Sequence, residues 1–378
     1  MAAFKKHQEA FFALLRAGLW ERETRLLPLG NINYEEILRL SEEQSVVGLI
    51  AAGVEMVVDV KPPKEVVLQL VGQTLQLEQQ NTAMNAFISN LIIGMRNEGI
   101  YALLVKGQGV AQCYERPLWR ACGDVDLFLD YENYEKAKKY LVPNASHVDP
   151  EDNNKLHLGM TIAKWKVELH GTMHTVISHK INRMLDDVQK AVFVRGRVRE
   201  WNNNGVDIFL PNPDNDVIIV FSHFINHFYG EGVGLRQISD WCRLLWKYYS
   251  VIDIYRLEKR LREMNLITEW RVFAVFAVNY LGMPENAMPL YISTTSLKKK
   301  SERICRLIIE AGNFGHNKDN SYRNKSSRFM SNIITFWRRL KEFVSISTVF
   351  PVNAPIFFIT YVFGRVKALA SNGYTNNR

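Results

Sequence analysis

The stretch LLVKGQGVAQCYERPLWRACGDVDLFLD, residues 103–130, holds an apolar run ending in glycine, a segment compatible with a short helix, an arginine, and a second run carrying two aspartates. Side chains alternate along a strand, so Asp124, Asp126 and Phe128 point one way while Val125, Leu127 and Leu129 point the other. One face is apolar and the other opens on paired acids. An edge strand with its polar face in water explains a D-x-D triplet by itself, so the flanks have to decide.

Downstream, YENYEKAKKYL (131–141) reads as a plain amphipathic helix. HLGMTIAKWKVELHG (157–171) contains two alternating stretches and predicts a hairpin around Lys164, with Lys166, Glu168 and His170 on one face. Upstream, residues 5–19, 33–57 and 64–99 place apolar residues three and four apart and predict helices, the last one beginning after Pro62 and Pro63. After PNPD (211–214) the helical pattern returns in NDVIIVFSHFINHFYG and, past a glycine-rich link, in LRQISDWCRLLWKYY and further helices to about 290. The expected fold class is therefore α/β of the α+β kind, a small mixed sheet flanked by N- and C-terminal helical regions. The divisions fall at 1–84 (helical), 85–204 (mixed core), 205–296 (helical, packing over the core) and 297–378 (basic tail).

A chain of 378 residues that is 47% hydrophobic buries a full core. Cys113, Cys122, Cys242 and Cys305 are scattered, with no C-x-x-C pair, which fits a reducing cytoplasm. The first twenty residues break their apolar run with charges and read as an amphipathic helix rather than a signal peptide. The net charge of +8 is uneven: Lys298–Arg378 carries fifteen Lys and Arg against four Asp and Glu, which leaves the first 297 residues at −3. Such a tail suggests an anionic partner, nucleic acid or membrane surface, although a solvated basic helix looks the same in sequence. Within the tail, residues 343–364 are uncharged but interrupted by Pro351, Asn353 and Pro355. Docking on the core, peripheral membrane contact and a true span all stay open.

Lys106, Gly107, Ala111, Tyr114, Arg120, Asp124, Asp126 and Leu127, in that order, resemble the K-G, small residue, Tyr, Arg, D-[IV]-D-L pattern of an uncharacterised bacterial nucleotidyltransferase family found in polysaccharide loci, within the polymerase-β-like superfamily. The likeness continues in VELHG, in HFINHF with LRQISD, in AGNFGH and in LLRAGLW. It implies Mg²⁺-dependent transfer of NMP from an NTP to a hydroxyl or phosphate acceptor, such as a sugar phosphate or glycan intermediate. Two magnesium ions about 3.5–4 Å apart neutralise the phosphates and activate the attacking oxygen in such chemistry, and magnesium prefers carboxylate oxygens. Asp124, Asp126 and Glu168 are the implied metal ligands and catalytic acids, with glutamate where the family more often has aspartate. Gly107 would bring backbone amides to the triphosphate. The wider superfamily has G-G or G-S where this chain reads K-G-Q-G, so Lys106 or Arg120 is expected to supply the phosphate contact. His223, His227 and Arg236 are implied near base, ribose or acceptor, with Asp240 orienting Arg236.

Other readings remain for these residues. His223 and His227, four apart on one helical face, allow a zinc site that lacks a third ligand at suitable local spacing. His170 and His174 are either site or structural histidines. The same chemistry directed at tRNA or another nucleic acid is an alternative, as is a catalytically silent nucleotide-binding or scaffold protein, which gains if Glu168 cannot reach the two aspartates.

Overall fold

The computed structural model describes residues 6–230, 232–313 and 328–363. Residues 1–5, the end of AGNFGH and the RVKAL segment after the uncharged stretch lie outside the described residues. The N-terminal region is helical as the spacing predicts, with α1 (Lys6–Trp20), α2 (Tyr34–Glu43), α3 (Val47–Glu55) and α4 (Lys64–Asn97). Asn33 starts α2, its Oδ1 accepting from the Glu36 amide at 3.1 Å, and Glu35 and Glu36 sit where the helix dipole favours negative charge. Pro63 opens α4, a position where proline loses no hydrogen bond.

That helix runs unbroken through 84/85. Leu70, Asn81, Met84, Ile88, Leu91, Ile92 and Met95 form one buried stripe along it. Leu70 packs into the larger, mostly helical core, and Met84 to Met95 pack into a second core under the sheet. The division at 84/85 thus falls inside a rod that joins both cores.

The sheet comprises β1 (Leu103–Val105), β2 (Asp124–Phe128), β3 (His147–Val148), β4 (His157–Ile162) and β5 (Trp165–His170), with α5 (Gly107–Ala111) and α6 (Tyr131–Leu141) between strands. Its order is β1-β2-β5-β4-β3. Only β2 and β5 run parallel. The predicted hairpin forms with Ala163 and Lys164 as its turn, Ala163 at φ 54°. Val125, Leu127, Leu129, Val167 and Leu169 enter the core shared with α4 and α6, while Phe128 turns to the opposite, larger core. The alternation divides the faces as expected.

Where the spacing predicts no element, residues 172–211 hold α7 (His179–Phe193) and a hairpin of β6 (Val198–Asn203) and β7 (Val206–Pro211). The 204/205 division falls in its turn. Next come α8 (Pro213–Tyr229), α9 (Leu235–Tyr248), α10 (Ile254–Glu263), α11 (Ile267–Leu281) and α12 (Thr295–Ala311), around buried Phe221, Phe224, Trp241, Trp270 and Phe273. The tail forms a helix over Arg328–Ser347 and a second over residues 353–363. Phe350 lies edge-on to Phe228 at 5.9 Å, and Phe357 stacks on Tyr229 at 5.6 Å. One side of the uncharged stretch therefore docks on the helical core, while Val344, Ile359 and Phe363 remain exposed. Among the described residues no helix is long and apolar enough to cross a membrane.

Candidate active site

Strands β2, β5 and β4 lie side by side, and their register sets the site. Asp124 is opposite Lys166, Asp126 opposite Glu168, and His157 opposite His170. Residues opposite one another across a ladder share a face. Asp124, Asp126 and Glu168 consequently each offer an oxygen, all within 4.8 Å of one another. The face opens on a cavity of about 570 Å³ whose wall includes Lys106, Asp124, Lys166, Glu168, His223 and His227. A smaller concavity adjoins it, lined by Lys106, Gly107, Arg120, Asp124, Asp126 and Arg236 among others.

The turn from β1 into α5 carries a strained backbone. Lys106 has φ 56° and ψ −143°, close to a region almost reserved for glycine, and Gly107 follows at φ 35°. A Cβ on Gly107 would stand 3.2 Å from Cys122 Sγ and 3.4 Å from the Asp124 carbonyl oxygen, so the turn is pressed against the entry of β2. This places Lys106 Nζ 2.6 Å from Asp126 Oδ1. His170 Nε2 lies 2.8 Å from the same oxygen.

Electrostatics separate the three acids. Burial alone would raise the Asp126 pKa, but Lys106 and His170 outweigh it and hold the carboxyl below its ordinary value. Burial would likewise discharge Lys106, and Asp126 with Asp124 keeps its pKa raised. Glu168, opposed by burial, is held well below the usual carboxylate range by His157 and by Lys166, whose Nζ is 2.6 Å from Oε1. Asp124 is different: the charge of Asp126, then burial, pushes it up. Three carboxylates crowded this closely, one of them under repulsion that Lys106 and Arg236 offset only in part, are a donor set that fits a hard divalent cation.

Helices α8 and α9 close the other side. The rings of His223 and His227 lie 4.5 Å apart, edge to face. Burial takes His223 well below its ordinary pKa and His227 to about 4, so both are neutral near pH 7. Among the described residues they join no group of three ligands, which leaves the H-x-x-x-H zinc reading without support.

Arg236 donates from Nη1 to the Ala121 carbonyl at 2.8 Å. The charge of Asp240 favours the charged form of Arg236 against burial, and Asp240 also holds a second arginine. Asp240 accepts both arms of Arg120, at 3.0 and 2.6 Å, and the Tyr114 hydroxyl at 2.8 Å. The planar guanidinium fork of Arg120 matches the carboxylate, and the buried pair ties the loop before β2 to α9. Arg120 thus meets the concavity with its guanidinium already held.

All nine expected site residues therefore border the two adjoining hollows. The sequence reading missed His157 and Lys155, which line the larger one with Lys166. A signal for His157 existed, because a two-residue turn at Ala163 and Lys164 fixes the register and sets it opposite His170.

Comparison with known proteins agrees with the geometry. No curated protein and no solved structure matches the chain. Residues 30–282, from just before α2 to the end of α11, match a family model described as uncharacterised nucleotidyltransferase. With both the acidic strands and the helices that roof them inside the matched region, the chain belongs to that family of nucleotidyltransferases.

Proposed function

We propose that the protein is a magnesium-dependent nucleotidyltransferase of the polymerase-β-like kind, moving NMP from an NTP to a hydroxyl or phosphate of a small acceptor, in the class of sugar phosphates or glycan intermediates. The observation that carries this reading is the meeting of Asp124, Asp126 and Glu168 on one sheet face at the edge of a polar cleft. These residues would hold a pair of magnesium ions, which when bound neutralise phosphate charge and make an acceptor oxygen a better nucleophile.

The chain's own residues do the remaining work. Lys106 keeps Asp126 ionised and fixes its rotamer through the 2.6 Å contact. Lys155 and Lys166 give the cleft a cationic wall suited to a triphosphate. Neutral His223 and His227 can exchange hydrogen bonds with base or ribose without adding positive charge. The Arg120 and Asp240 pair holds the wall on which the first two aspartates depend.

The test is mass spectrometry of reactions holding the full chain, Mg²⁺, each NTP in turn and a panel of sugar phosphates. NMP adducts formed by wild type and lost in Asp124→Asn are the expected result. Pyrophosphate release that requires tRNA instead would move the acceptor to nucleic acid, and no adduct with any NTP would return the chain to a silent nucleotide-binding role.

A further inference from the structure

We propose that a second cation position lies beside the carboxylate set, built from His157, His170 and Glu168, and that it takes a nitrogen-preferring first-row ion of the Co²⁺ or Zn²⁺ kind rather than magnesium. The inference names the metal class at one edge of the proposed transferase site and rests on that reading only for its role, not for its existence.

The backbone fixes all three ligands. His157 and His170 are direct partners across the β4 and β5 ladder, and Glu168 precedes His170 by two residues on the same face. The three side chains each offer one ligand atom within 4.8 Å of the others. Glu168 Oε2 lies 3.3 Å from His157 Nε2 and 3.6 Å from His170 Nε2. These separations are long for charge-assisted hydrogen bonds, which run about 2.7–2.9 Å. Two donors each about 2.0–2.1 Å from one tetrahedral ion stand about 3.3–3.4 Å apart. The 3.3 Å pair already has that spacing, and the 3.6 Å pair has to close by only a few tenths of an ångström to reach it.

Two further features prepare the site. Lys166 holds Glu168 Oε1 at 2.6 Å, which turns Oε2 toward the imidazoles. All three ligands line the large cleft, so an ion has an entry path and a coordination position left for water or a substrate oxygen. His170 Nε2 also lies 2.8 Å from Asp126 Oδ1, so the ion has to displace the proton of that hydrogen bond; with both rings then protonated on Nδ1, each turns an Nε2 lone pair to the metal. Two imidazoles and one carboxylate suit zinc and its neighbours, whereas magnesium asks for oxygen ligands in octahedral array.

The test uses the full chain stripped with chelator and titrated with Co²⁺, read by visible absorption and calorimetry. Wild type should develop an intense band at one equivalent that Mg²⁺ does not abolish. His157→Gln should weaken Co²⁺ binding by more than about 100-fold, beyond the 10–100-fold that follows loss of an outer partner, while Asp124→Asn keeps the band. His157→Cys provides a positive signal independent of any folding defect in the first variant, because a near-ultraviolet thiolate-to-Co²⁺ band arises only if position 157 is a ligand. A pale octahedral spectrum, or a band indifferent to position 157, overturns the inference. Transfer of NMP in Mg²⁺ with no Co²⁺ band would overturn it and leave the transferase standing. A band requiring His157 in a chain that transfers no NMP would uphold the nitrogen site and remove the transferase.

Discussion

Asp124 and Asp126 differ in kind although they stand two residues apart on one strand. Asp126, only 2% exposed, neutralises the buried Lys106 ammonium. Asp126→Asn therefore leaves a buried charge without its partner, a change that costs about 3–5 kcal/mol. Asp124 is under repulsion from Asp126, so Asp124→Asn should melt at or above the wild-type temperature in metal-free buffer while both variants lose activity. Thermal melts decide this, and an Asp124→Asn midpoint several degrees below wild type would refute the repulsion account. The histidines of α8 give a pH prediction with a definite sign. His223 and His227 are held below their ordinary pKa, His227 at about 4, whereas an unfolded histidine titrates near about 6.5. The unfolded chain thus binds more protons than the folded one as pH drops below that value, and stability should fall from about pH 6.5 toward pH 4 and stay level above it. A His223→Asn, His227→Asn double variant should flatten that slope in melts across the range. Legibility at this scale has a plain limit. Strand alternation paired Asp124 with Asp126 on one strand and Glu168 with His170 on another, but that the two pairs share one sheet face follows only from the parallel register of β2 and β5; the Lys106 contact needs a backbone conformation that lysine rarely adopts, and the Arg120 and Asp240 pair spans 120 positions that no local spacing encodes.

Elements with a strong period were readable and short ones were not. Helix α4 was legible from its two opening prolines and its apolar stripe, and β4 with β5 from their alternation. The β6 and β7 hairpin was missed although Asn204 and Gly205, at φ 52° and 89°, form the Asn-Gly turn that right-twisted hairpins favour. Its outer strand carries Arg199, Glu200, Asn202 and Asn203, and that polarity conceals the strand pattern. For the tail, composition could not separate docking from lipid contact, because both need aromatic residues beside basic ones. The fold assigns Phe357 to packing on Tyr229 and leaves Phe363 71% exposed. Phe357→Ser should therefore cost about 3–5 kcal/mol, in line with large-to-small changes at buried phenylalanines, and Phe363→Ser should not move the melting temperature. Equal melts for both variants would mean that the tail does not dock through Phe357.

At the scale of the molecule, the sheet separates two hydrophobic cores, and the acids lie where its second face is not filled by apolar side chains. The floor of the cleft belongs to β2, β4 and β5, and its roof belongs to α8. A ligand that touches both must tie the sheet to the helical core, so binding should appear as global stabilisation and not only as local order. Magnesium with a non-hydrolysable NTP analogue at about 100 times its dissociation constant adds about 2.7 kcal/mol if it binds only the folded state. Neither component alone should give the full increment, because the phosphates and the carboxylates repel each other until the cation joins them. The checks are thermal melts with each component and both, followed by hydrogen exchange. Slowed exchange should appear together in β5 and in the turns of α8 that carry His223 and His227. Asp124→Asn should lose the joint increment while keeping its own baseline stability. If that variant responds to magnesium and nucleotide as wild type does, the cation is held somewhere other than strand β2, and the paired aspartates are no more than the polar face of a strand.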